Sequence, residues 1–132
     1  MRELGQYFST LLPMVVIDAL WIGLIAKGFY AKHMGFLFTK NVNITPVIFF
    51  YPIYAFVVLF LAVMPALSSK SWTEALLRGA LLGLGAYGAY DLTNHATIAK
   101  WPLTMTLVDI AWGVFVTATT SIIAYFIITR AG

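Results

Sequence analysis

The 132 residues are 61% hydrophobic and 16% aromatic, with only 10% charged and a mean hydropathy of +0.90, whereas a soluble domain holds about 25% charged residues. The net charge of +3 is spread over the ends of apolar stretches without a basic run. That excludes a nucleic-acid-binding surface and leaves anionic lipid headgroups as the partner. With no cysteine, disulfides, thiolate metal sites and a cysteine nucleophile are excluded as well.

A membrane span needs about 20 mostly apolar residues, and the chain offers four such stretches, at 6–27, 45–67, 73–98 and 103–129. They predict an all-α polytopic membrane protein, four transmembrane helices in a compact bundle, as one transmembrane domain over 1–132. The first stretch is too long for a signal-peptide core and lacks a small-residue cleavage site, so it is expected to be retained. Its one charge inside the span is Asp18. The helical neighbours Leu11, Met14, Trp21, Ile22 and Ile25 are all apolar, so Asp18 must find its partners on another helix.

The connector from Gly28 to Asn43 mixes aromatics with Lys32, His33 and Lys40, as expected of an interfacial segment with snorkelling lysines. His33 reads as a solvated loop histidine. Asn43-Ile44-Thr45 matches the glycosylation pattern but lies too close to a span to carry weight. The second span has no charge. Tyr51, Pro52 and Tyr54 are its only distinctive features, and its phenylalanines (Phe49, Phe50, Phe56, Phe60) read as lipid-facing or packing side chains.

The third span opens with small residues, Gly79 and Gly83 forming a G-x-x-x-G pair that lets helices approach closely. Packing within one chain and a dimer face both remain open for it. The span ends in the most polar segment of the chain, Tyr90-Asp91-Leu92-Thr93-Asn94-His95-Ala96-Thr97. At 100° per residue Tyr87, Tyr90, Asp91 and Asn94 share one face, flanked by His95 and Thr97. Ionisable groups at such depth cost about 2.5–3.5 kcal/mol each on insertion scales, and so mark a site by default. After the turn Lys100-Trp101-Pro102, the fourth span places Thr106, Asp109, Gly113, Thr117 and Thr120 in one stripe. Its hydroxyls are expected to bond back to helical carbonyls. An echo links its Val108-Asp109-Ile110-Ala111-Trp112 to Ile17-Asp18-Ala19-Leu20-Trp21: each sets an indole one turn from a carboxylate.

With the N-terminus on side A and the opposite face called side B, a rise of 1.5 Å per residue puts Asp18 and Asp91 about 14 Å, and Asp109 about 11 Å, below the side-B ends of their spans. Three carboxylates from three helices thus share a layer. They cannot all be ionised in a low dielectric. A shared proton, a bound metal or organic cation, or hydrogen bonds from tyrosine, asparagine and indole would each resolve this. Asp18, Asp91 and Asp109 are accordingly the candidate metal ligands. The candidate ligand-binding set is Asp18, Trp21, Tyr87, Tyr90, Asp91, Asn94, His95, Asp109 and Trp112. No catalytic residue and no cofactor is assigned.

Asp18-Ala-Leu-Trp-Ile-Gly23, Tyr90-Asp-Leu-Thr-Asn-x-Ala-Thr97 (with x the variable position held here by His95), Lys100-Trp-Pro-Leu103 and Asp109-Ile-Ala-Trp-Gly113 stand in the order of a known family. Over nearly its whole length the chain resembles the bacterial membrane proteins grouped as domain of unknown function 2177. The resemblance implies a four-helix protein of the bacterial inner (cytoplasmic) membrane and brings no activity with it.

Three functions fit the layer. Binding of a small amphiphile, lipid or cation between the indoles and phenols ranks first. Proton- or cation-coupled transport of a small molecule by a homodimer ranks second. A metal-dependent enzyme acting on lipid headgroups ranks third. Basic residues are balanced, four near each face (Arg2, Lys70, Arg78, Arg130 against Lys27, Lys32, Lys40, Lys100), so charge sets no orientation. A single orientation is expected, with dual insertion as an antiparallel dimer the alternative.

Overall fold

The computed structural model describes residues 2–26, 28, 29, 32 and 44–131. His33, Lys40 and Asn43 of the connector and the glycosylation pattern, and Lys27 at the end of the first span, lie outside the described residues. Among those described there are four long helices and no strand. Helix α1 (Arg2–Leu20) runs on into a π-helical turn, Trp21–Ala26. Helix α2 (Ile44–Ser69) widens to a π-helix over Leu59–Val63. Helices α3 (Trp72–Thr97) and α4 (Leu103–Ala131) complete the bundle.

By length and apolarity α1, α2 and α4 can each cross a membrane. Helix α3 has the length, 26 residues, but its glycines and polar end dilute its apolarity. Gly79 and Gly83 face α4. A Cβ on Gly83 would lie 2.3 Å from the Gly113 carbonyl oxygen, and one on Gly79 2.8 Å from the Ala118 Cα. The G-x-x-x-G pair therefore serves packing inside the chain. On the other side Leu76, Leu77, Leu81, Leu84 and Leu92 are exposed, as are Phe49, Phe50, Phe56 and Phe60 on α2. A bilayer is the solvent that tolerates so large an apolar surface.

The α3–α4 contact is the most extensive in the bundle, and α1 sits against α4 and α2 without a substantial contact to α3. The principal core fills the space between α1, α2 and α4 with Met14, Tyr54, Ala55, Val58, Ala62 and Ala124.

Two tight connections set the helix register. Helix α2 closes with the Lys70 and Ser71 amides donating back to Leu67 and Ala66 carbonyls, a 6→1 closure that usually ends on glycine. Here Lys70 takes the left-handed conformation, φ 55°, which costs a residue with a Cβ about 1–2 kcal/mol. Ser71 then caps α3, accepting from the Glu74 amide, while the Glu74 carboxylate takes Arg78 one turn on. At the other end Lys100, φ 63°, turns the chain into α4.

Candidate functional site

Asp18 is 8% exposed and fully engaged. The Trp112 indole N–H donates to its Oδ1 at 2.9 Å, and the Tyr51 hydroxyl donates to its Oδ2. Its partners thus come from α4 and α2, as its apolar surroundings on α1 require. The two Asp-x-x-Trp segments cross-connect: the indole from α4 serves the carboxylate of α1, and Trp21 stacks on Trp112 with centroids 4.4 Å apart and planes 9° from parallel. The π-helical turn that begins at Trp21 is where α1 delivers that ring.

Asp91 is the opposite case. It is 0% exposed, and both of its oxygens are buried without a hydrogen-bond partner of normal geometry. Its carboxyl lies close enough to that of Asp109 for the two to interact. Tyr87 stands between the acids, within electrostatic range of both Asp18 and Asp109, its ring packed on Gly113, where a Cβ would lie 2.1 Å from the ring. Edge-on to Tyr87, at 6.4 Å, Tyr54 shares a hydrogen bond of 2.7 Å with Thr117.

The remaining expected members lie at the rim. His95 Nδ1 is 2.9 Å from the Thr106 hydroxyl, which also accepts from the Trp101 indole N–H at 3.1 Å. One arrangement satisfies all three: indole N–H to hydroxyl, hydroxyl to imidazole. His95 therefore ties the end of α3 to the start of α4. Tyr90 is 57% exposed and edge-on to Trp101 at 6.2 Å, and Asn94 is half-buried beside it. Tyr90 thus turns away from the buried face that helical periodicity assigned to it, because it packs on the α3–α4 turn.

Among the described residues no group of three His, Asp or Glu side chains is placed to hold a metal ion, and Asp18 is already engaged by Trp112 and Tyr51. The hydroxyls of Thr106 and Thr117 bond across to other side chains instead of back to their own helix, as Ser121 does with the Thr117 carbonyl. Tyr51, Tyr54 and Thr117 were missed as members of the layer. The signal for the phenols was available: two hydroxyls three residues apart on an otherwise apolar span need partners in a bilayer.

Between Met14, Asp18, Phe50, Tyr51, Tyr54 and Tyr87 runs a crevice too narrow to admit a water molecule. The arrangement can hold a proton between two carboxyls, offer aromatic faces to a cation, and open only if α1 and α2 separate.

A family model described as "Predicted membrane protein (DUF2177)" matches residues 4–126. No curated protein and no solved structure matches the chain.

Proposed function

The chain belongs to the DUF2177 family of predicted membrane proteins, and for this multi-pass membrane protein we propose a binding role: its acidic and aromatic layer takes the cationic or hydrogen-bond-donating head of a small amphiphile. The observation that carries the proposal is Asp91, wholly buried, with no hydrogen bond of normal geometry to either oxygen and the Asp109 carboxyl beside it. A buried carboxyl that faces a second carboxyl is costly, and an entering donor or cation offsets that cost. The Trp21–Trp112 stack and the tyrosines supply the apolar and cation-attracting walls such a head needs. Phe50 is exposed at the outer edge of the closed crevice, and entry from lipid there requires α1 and α2 to separate. The bacterial cytoplasmic membrane is the proposed location.

Asp91→Asn is the test. Because the Asp91 carboxyl faces a second carboxyl in place of an indole or phenol donor, removing its charge is expected to change stability by less than about 1 kcal/mol, or to raise it. Native mass spectrometry of the protein from mild detergent should find a small molecule or cation retained on the parent, and retention reduced about tenfold or more in the variant, the equivalent of ~1.4 kcal/mol. Equal retention in parent and variant, or collapse of the Asp91→Asn fold, would overturn the proposal.

The acid pair also favours a second reading. One proton shared by Asp91 and Asp109 and displaced by a cation is the elementary step of proton-coupled exchange. Transport by an antiparallel homodimer would give comparable C-terminal reporter signals on both membrane faces. Signal from one face keeps binding first.

A further inference from the structure

Far from the acidic layer, at the N-terminal face, the ends of α1, α2 and α4 leave an open depression of about 1230 Å³. From its composition and place in the fold we infer that it is a binding site for the headgroup of an anionic phospholipid, with Arg2 and Lys70 as the phosphate-binding cations.

Arg2 and Lys70 face this depression from two different helix ends, and among the described residues Glu3 is the one acidic side chain that lines it, so the described side chains carry an excess of positive charge. Neither cation has an ion-pair partner among the described residues. Ser68 and Thr129 add hydroxyls at the same level, and the inner wall turns apolar with Leu67, Tyr125 and Ile128. The lining descends from Arg2 to Ser9, seven residues or about 10 Å along α1. That exceeds the ~5–8 Å of headgroup region at each face of a bilayer. A cationic rim above a wall of Leu67, Tyr125 and Ile128, with Gln6 and Ser9 adding polar groups along α1, matches a phosphate, its glycerol ester and the first methylenes of an acyl chain.

Lys70 adds an independent observation. Its left-handed backbone, φ 55°, is a position where glycine relieves strain. A lysine there gives up stability and places an ammonium at the rim of the depression, the pattern of a strained residue kept for its side chain.

The strain also makes the test independent of folding. Native mass spectrometry would compare retention of added phosphatidylglycerol and phosphatidylcholine with identical acyl chains. The parent is expected to retain the anionic lipid about tenfold more readily, and the double variant Arg2→Gln, Lys70→Gly to lose that preference. Lys70→Gly alone should raise the melting temperature in lipid-free detergent while weakening phosphatidylglycerol retention, two shifts of opposite sign. Arg130→Gln removes a cation at the same face that does not line the depression, and should leave the preference intact. Equal retention of the two lipids by the parent would overturn the site. So would an unchanged preference in the double variant, or a loss in Arg130→Gln as large as in that variant. If inorganic phosphate competes as well as phosphatidylglycerol does, the lipid assignment is wrong.

Discussion

Asp18→Ala is expected to destabilise the bundle by roughly 2–4 kcal/mol, because it removes the single acceptor shared by two buried donors. The Trp112 indole and the Tyr51 hydroxyl both end on this carboxylate, and both are half-buried within helices apolar enough to span a membrane, where lipid offers no replacement acceptor. An orphaned buried donor costs about 1–3 kcal/mol in soluble proteins, and interhelical hydrogen bonds in membranes fall toward the lower end, up to about 1.7 kcal/mol. Asp18→Asn keeps one acceptor oxygen and turns an amide N–H toward the other donor, so it should recover about half the loss. Reversible unfolding in mixed micelles measures both. Asp91→Asn, by contrast, is expected to leave stability within about 1 kcal/mol of the parent or to raise it. If Asp18 and Asp91 variants were equally mild, the division into an engaged acid and one that faces a second carboxyl would fail.

The largest steric effect is expected at Gly83. Its added Cβ would lie 2.3 Å from the Gly113 carbonyl oxygen and 2.8 Å from the carbonyl carbon. Both are backbone atoms of the facing helix, with no rotamer to yield, so α3 and α4 must move apart. Overpacking of this kind typically costs about 1–3 kcal/mol. The gain in helix propensity from glycine to alanine, up to about 1 kcal/mol, opposes it only in part. Gly85→Ala is the control: nothing lies within 4 Å of its Cβ, so only the propensity gain remains and the variant should be neutral or more stable. Gly113→Ala differs again, since its Cβ meets the Tyr87 ring. The ring would swing out of its place between the acids, and ligand retention should fall along with stability. Thermal melts of the three variants, read side by side, separate backbone clash from ring displacement and from propensity. A Gly83→Ala protein as stable as the parent would contradict the close α3–α4 approach.

Helix existence and the need of Asp18 for an interhelical partner were legible in the chain, because they follow from local quantities. Apolar length sets the spans. Leu11, Met14 and Trp21 leave Asp18 nothing polar on its own helix. The small residues of α3 likewise announced a close contact, though not with what. Only the tertiary structure decided the partners, because neighbour order in a bundle is a property of all four helices together. With α4 lying against both α1 and α3 and little contact between those two, Asp18 receives Trp112 from α4 and Tyr51 from α2. Asp91 is left facing Asp109. The same order turned the G-x-x-x-G pair inward. It also gave His95 to the α3–α4 turn through Thr106, since a side chain so near a helix end is claimed by the connection that follows it.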